Sequence, residues 1–259
     1  MVHQVTSFLN YWLNEVNAHS LQSPFIYSLY TTCIRKDSNK NEFKEIEQTR
    51  NRLLHSEMLV KPIDWGAPST VHSNSSNVRV SAIAKQGLTK PKISRLLNRL
   101  IQYSNSKHIV ELGTSFGLNT LYMAQSEEVE VTTFEGSKEI ADIALTNFEF
   151  FKKSNIKLVE GNIDETLPKF IDSRIHIDFA YIDANHRFEP TINYFKLLLK
   201  RTHDNSIMVF DDIYWSKEMT QAWNTIKEHP QVTLSIDLFD VGIVLFKPDL
   251  SKTHYTLMF

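Results

Sequence analysis

A single cysteine, Cys33, stands in a chain of 259 residues. A disulfide within the chain is therefore excluded, which fits a reducing compartment. Cys33 has no Cys or His neighbour at ligand spacing and reads as a small, semi-buried hydrophobe. Charge of one sign is lacking as well: 28 Lys and Arg stand against 30 Asp and Glu, a net charge of −2. The chain shows no electrostatic footprint for nucleic acid and no polybasic run for anionic lipid. No apolar stretch approaches the roughly 20 residues that a membrane helix needs. The opening segment MVHQVTSFLNYWLNEV has no basic region, apolar run and cleavage site of a secretion signal, so the expectation is a cytoplasmic protein. In that setting NSS at 74–76 reads as a polar loop and not as a glycosylation site. Internal repeats and low-complexity tracts are missing too.

What is present is 42% hydrophobic residues, enough for one large domain or a domain with an appendage. Residues 1–90 show helical patterning broken by loops and read as a helical N-terminal extension or lid. Phe8, Tyr11, Trp12 and Val16 fall on one helical face, and Ser23-Pro24 reads as a helix start with Pro in the first turn. Residues 42–60 read as a charged amphipathic helix. Residues 61–81 are rich in Pro, Gly, Ser and Asn and read as a loop. A helix is expected around 91–103. From 107 onward strands and helices alternate. Strands are expected at HIVEL, at 129–136, 156–161, 177–185 and 205–212, and in an antiparallel pair at 232–240 and 241–248. Helices are expected from about 118, at 137–153, 189–201 and 216–228. Apolar strands alternating with helices imply an α/β, doubly wound, mostly parallel sheet covered on both faces, occupying 91–259.

Ligands in such sheets sit at the carboxyl ends of the strands. Here those ends carry Glu111, Glu135, Gly161-Asn162, Asp183 and Asp211-Asp212. Any one of these could simply cap the helix that follows; five at one edge suggest a site. The loop VELGTSFG reads E-x-G-x-x-x-G. It lacks the G-x-G-x-x-G of dinucleotide sites and the Lys-Ser/Thr of a P-loop. Its acid precedes the first glycine, where it would repel a diphosphate. The loop suits a ligand with a cationic amine and no phosphate. Gly113 and Gly117 would let backbone come close, and Thr114, Ser115 and Asn119 offer hydrogen bonds to a carboxylate. Glu135 is placed for a ribose diol. An amino acid joined to a nucleoside is what such a pocket would hold.

These residues resemble the class I S-adenosylmethionine-dependent methyltransferases, over roughly residues 80–248. VELGTSFG is similar to their first motif, TFEGS (with Glu135 and Gly136) to their ribose-binding acid, and EGNIDE (with Asn162 and Ile163) to the loop beside adenine. FAYIDANH and VFDDIYWS resemble the fourth and fifth strands. The nearest pattern is that of small-molecule O-methyltransferases of the catechol and caffeoyl-CoA kind. The resemblance implies a Rossmann-like sheet of seven strands, the last antiparallel, with S-adenosylmethionine as cofactor and a small-molecule acceptor methylated at oxygen. It also implies a Mg²⁺ ion held by Asp183, Asp211 and Asp212. Two departures stand out: the family's Asn is Asp212 here, and its catalytic Lys is His186.

With an ordinary pKa near 6.5, His186 can take a proton at neutral pH. It reads as general base on the acceptor hydroxyl or amine, or as a histidine that caps the next helix or bonds to Asp183. The three aspartates read equally as metal ligands or as caps and pocket walls. Asp178 reads as structural, Trp223 as core, and Tyr214 and Trp215 as either acceptor walls or packing. His19, Ser23, Pro24 and Phe25 read as packing against the domain or as a lid. The segment 64–79 could close over cofactor, with Arg79 meeting an acidic acceptor. A homodimer through the aromatic N-terminal helices is a further expectation. Two other functions compete: an NAD-dependent oxidoreductase, which the glycine spacing and the missing Tyr-x-x-x-Lys set disfavour, and a binding module without catalysis.

Overall fold

The computed structural model describes residues 2–36, 40–63, 77–173 and 175–259. Most of the predicted loop over 61–81, and the NSS triplet in it, lies outside the described residues. Its two ends are tied by an antiparallel ribbon, β1 (Leu59–Val60) on β2 (Val78–Arg79). The remaining strands are β3 (His108–Leu112), β4 (Glu130–Glu135), β5 (Ile156–Glu160), β6 (Phe179–Ile182), β7 (Ile207–Asp211), β8 (Leu234–Asp237), β9 (Val241–Leu245) and β10 (Thr253–Thr256). They form one sheet in the order β10-β8-β9-β7-β6-β3-β4-β5. β5, β4, β3, β6 and β7 run parallel, and β9 pairs antiparallel with both β7 and β8.

The seven predicted strands are all present. The sheet gains an eighth, β10, parallel to β8 at its edge. Its sequence THYT alternates without a strongly apolar face, so it lacks the apolar run that marks the others. It shields the edge that β8 would otherwise expose.

The strands carry near-continuous apolar sequence because both faces are covered. Ile109, Val131, Phe179, Tyr181, Ile207 and Val209 point to one face, where α5 (Pro91–Ser104) contributes Ile93, Leu96, Leu97 and Leu100. Leu21, Ile26, Leu29, Tyr30, Cys33 and Ile34 join the same core, so residues 21–34 are packed onto the sheet. α2 (Pro24–Leu29) begins with Pro at its first turn, as its sequence predicts. The alternate residues Val110, Leu112, Phe134, Ala180, Ile182, Met208 and Phe210 meet α8 (Ile163–Asp172), α9 (Phe188–Leu199) and α10 (Lys217–Lys227) on the other face. Trp223 of α10 is buried in this core, as expected. A third cluster joins α3 (Lys44–Leu54) and α4 (Val80–Gly87) to α6 (Leu118–Met123) and α7 (Lys138–Phe150).

The first helix, α1 (Val2–Asn14), departs from its predicted face. Only Tyr11 is buried, its hydroxyl donating to the Leu257 carbonyl at 2.6 Å. Phe8 and Trp12 are exposed, and Val16 lies beyond the helix end in a bridge with Leu257.

Candidate active site

Strand order reverses between β3 and β6, and the loops leaving their carboxyl ends meet there. The contact is close: a Cβ on Gly113 would lie 2.0 Å from the Asp183 carbonyl oxygen, and Gly113 has φ +97°. Only glycine serves at that crossing. The second loop glycine has a different reason. Gly117 (φ +78°) faces the Phe148 ring, which its Cβ would meet at 2.5 Å. Helix packing therefore accounts for Gly117, with no ligand required.

Glu111 ends up wholly buried on the α5 side of the sheet. In register it lies between Thr133 of β4 and Tyr181 of β6. Its Oε2 accepts hydrogen bonds from the Thr120 and Thr133 hydroxyls, and Thr133 is bonded to Thr114 at 2.6 Å. Its Oε1 has no partner among the described residues. Burial pushes the carboxyl up to about 8; the two threonine bonds lower it, and the charges of Asp183 and Glu135 add to the rise. A buried acceptor atom with an open valence, in a region of like charge, is the complement of a buried cation.

Glu135 closes β4. Its oxygens accept from the Ser115 and Ser137 amides, each at 2.9 Å, with Ser115 held in the left-handed region at φ 49°. Burial nonetheless carries its pKa up to about 7, against the lowering of the Ser137, Ser115 and Gly136 amides. These amides fix both oxygens in place. Gly161, at φ +122°, donates its N–H to the Glu135 carbonyl at 2.9 Å and sets the next loop beside it. In that loop Asn162 caps α8, accepting from the Asp164 amide at 2.9 Å, and Ile163 opens the helix.

Asp183 leaves β6 at the centre of the rim. Its Oδ2 accepts from the Thr89 and Tyr181 hydroxyls at 3.3 and 3.4 Å, and its Oδ1 stands 3.3 Å from His186 Nε2. Asn119 does not face an open ligand space in this arrangement: its amide donates to Thr89 at 2.7 Å and accepts from Ser94 at 2.6 Å. A chain of bonds thus runs from α5 through Asn119 and Thr89 to Asp183. His186 Nδ1 has no partner among the described residues. Burial opposes protonation of the imidazole, but the Asp183 hydrogen bond and the charges of Asp183 and Asp212 outweigh it, and its pKa rises above 6.5.

The aspartate pair after β7 completes the edge. Asp211 is buried and held far above the usual carboxylate range by burial, then by the charges of Asp183 and Asp212. Asp212 sits at φ 53°, its amide held by the Asp240 carbonyl at 2.9 Å; burial raises it to about 6 against the pull of His186. The expected Mg²⁺ set is not formed. Among the described residues no three His, Cys, Asp or Glu side chains stand where they could hold a metal. Asp211 is buried at the end of β7 inside the sheet, whereas Asp212 lies on a left-handed turn outside it. The aspartates do not fit the ion, and no step below uses one.

Other expected residues find plainer places. Asp178 accepts from the Lys107 and His108 amides at 2.7 and 2.8 Å and from His203 at 2.8 Å, a structural clasp. Tyr214 is stacked on Phe239, with ring centroids 5.4 Å apart, while Trp215 is exposed. Arg79 stands 4.0 Å from Glu57. Thr89, Thr120, Thr133 and Tyr181 were not singled out by the sequence, although a pair of threonines inside the apolar strand VEVTTFEG is a polar signal that called for a buried partner.

Residues 110–213 match a family model described as a methyltransferase domain. A catechol O-methyltransferase of Niastella koreensis is 25% identical over 141 residues, covering 51% of this chain and 63% of that protein. An uncharacterized protein of Acanthamoeba polyphaga mimivirus is 28% identical over 169 residues, covering 50% of this chain and 76% of its own. Among solved structures, the O-methyltransferase from Bacillus cereus in complex with SAH superposes with a TM-score of 0.56 at 20% identity, covering 84% of this chain and 94% of that one. The SAH-bound methyltransferase of Podospora anserina gives a TM-score of 0.60 at 16% identity, covering 88% and 97%.

Proposed function

We propose that this chain, whose residues 110–213 match a methyltransferase-domain model and whose fold is shared with SAH-bound methyltransferases, is a class I S-adenosylmethionine-dependent methyltransferase that transfers a methyl group to the oxygen of a small-molecule acceptor in the cytoplasm. Bound S-adenosylmethionine supplies a methyl group on a positively charged sulfur, which an aligned nucleophile can displace in line. The observation that carries the reading is the open Oε1 of Glu111. It would accept the cofactor's amino group, as a buried carboxylate with one unfilled valence requires. Glu135, fixed by backbone amides, would take the ribose hydroxyls. Asn162 and Ile163, together with Gly136, would border the base, and the backbone of Gly113, Thr114 and Ser115 would border the amino-acid end.

His186 would act on the acceptor. With Nε2–H donated to Asp183, Nδ1 carries the lone pair and takes the acceptor's hydroxyl proton; Asp183 then stabilises the imidazolium. The raised pKa supports this assignment, because Asp183 favours the protonated ring. Exposed Trp215 is offered as one wall for the acceptor, and the exposed face of α1 as the surface on which two copies pair.

Isothermal calorimetry with S-adenosylhomocysteine tests the cofactor assignment. The chain should bind it, and Glu111→Gln should bind it roughly tenfold or more weakly, the worth of a charge-assisted hydrogen bond. Heat with NAD and none with S-adenosylhomocysteine would overturn the reading in favour of an oxidoreductase. Binding without turnover on a panel of hydroxylated acceptors would favour a binding module.

A further inference from the structure

Beside α5 lies a cavity of 270 Å³, lined by Arg35, Lys36, Lys92, Arg95 and Arg99 together with Ile34, Met258 and Phe259. Five cationic side chains thus face one small space in a chain whose net charge is −2. Among the described residues no Asp or Glu side chain lines it. The cations come from two separate segments, the turn following α2 and one face of α5, so the cluster is not the by-product of a single basic run.

Some of these groups also serve the fold. Arg99 Nε donates to the Cys33 carbonyl at 2.7 Å, and Lys92 Nζ lies 3.9 Å from the centre of the Phe259 ring. Among the described residues the Arg35 guanidinium bonds the Met258 sulfur, at 3.2 Å, a weak acceptor for it. Arg95 is the most telling member. Its Nε is buried and has no hydrogen-bond partner among the described residues. A buried guanidinium donor without an acceptor is costly, and an oxyanion entering the cavity would satisfy it. Planar arginine forks paired with flexible lysines are suited to tetrahedral oxyanions. The volume admits a phosphoryl group with a small organic body and is below the range usual for whole nucleotides.

We infer that this cavity binds the phosphoryl group of a small soluble ligand, at a site separate from the strand-end rim. The inference does not depend on the proposed reaction, and its test leaves that reaction aside. Inorganic phosphate is titrated into the full chain at constant ionic strength, set with sodium chloride, and melting temperature and calorimetric heat are followed. A saturable rise with phosphate and none with chloride is expected. Arg35 and Lys36 are exposed, so the double variant Arg35→Gln/Lys36→Gln should fold and bind S-adenosylhomocysteine as before, with phosphate affinity reduced roughly tenfold or more. Arg95→Gln should abolish the response. Equal responses to phosphate and chloride, or phosphate binding unchanged in the double variant, would overturn the inference. So would sedimentation with phosphatidate-containing vesicles in the absence of any saturable phosphate response.

Discussion

Glu111 and Glu135 end neighbouring strands, and the chain treats them differently. Glu135 has both oxygens fixed by amides, so it offers a ligand acceptor geometry that is already set. Glu111 has one oxygen filled and one open, inside the protein. Its carboxyl is carried to about 8 chiefly by burial. In the unfolded chain the same group titrates at its ordinary value, 4.5. Protonated Glu111 therefore contributes stability that is complete below about pH 4.5 and is lost as pH rises toward 8. The ligand-free protein should lose melting temperature across that window, and Glu111→Gln should flatten the loss. A cationic amine reverses the sign, since it binds the ionised form. Affinity for S-adenosylhomocysteine should therefore climb between pH 6 and 8 in the parent, and less steeply in Glu111→Gln, where Glu135 alone still titrates in that range. Calorimetry at several pH values checks both; parallel profiles in parent and variant would remove the amine from Glu111. At His186 the sign is that of a base. Its neutral form is needed, and its pKa lies above 6.5, so turnover should rise with pH through a limb above that value. Asp183→Asn should move the limb downward. His186→Ala should cost roughly 10²–10⁴-fold in turnover while leaving S-adenosylhomocysteine affinity unchanged; an equal loss in both would make the histidine structural.

At the scale of elements, the rim is held by loops that cross with no spare room. The Gly113 turn passes under the Asp183 carbonyl, so Gly113→Ala must move one of the two strands that carry the site. A loss of at least about 2 kcal/mol in denaturant unfolding is expected, from clash and left-handed strain together. A variant as stable as the parent would show that the crossing relaxes freely. Such crossings explain what the sequence discloses and what it hides. Strands β3, β6, β7 and β9 announce themselves because both faces are buried, which leaves apolar runs bounded by turn residues. β10 is half-exposed and polar, and α8 carries Pro168 within it, so neither shows the usual pattern. The acids at the strand ends were legible, because charge following an apolar run is rare. Their partners were not: Thr89 reaches Asp183 from 94 positions away, and Asn119, which looked free to meet a ligand, is taken up by Thr89 and Ser94. The metal set at Asp183, Asp211 and Asp212 rests on the resemblance alone, but ligation depends on where side chains converge, and among the described residues no three ligating side chains do.

For the whole molecule, the unsettled surface is α1. Val2, Val5, Leu9, Trp12 and Leu13 are each at least half exposed, on a helix without a single charged residue. Tyr11 and Phe8 anchor its inner side, the latter edge-on to Phe239 at 5.1 Å, and Gln4 bonds the Trp215 carbonyl at 3.3 Å. The helix is therefore held in place with its apolar face turned outward. A face of this kind on a protein in water is a contact surface. It lacks the Lys and Arg that an interfacial membrane helix carries on its polar side, and no helix among the described residues is long and apolar enough to cross a membrane. A second copy meets the requirement directly: uncharged helices pair without repulsion. Five such side chains with Trp215 beside them offer an area comparable to the roughly 800 Å² each partner gives in a standard interface. Light scattering on the size-exclusion column should give twice the 30.1 kDa chain mass. Trp12→Glu with Leu13→Glu should return the mass to one chain, with S-adenosylhomocysteine binding retained, since neither side chain touches the rim residues described above. A parent protein that elutes as a single chain at tens of micromolar would leave α1 without a second copy as its partner, and the exposed face would then belong to the acceptor.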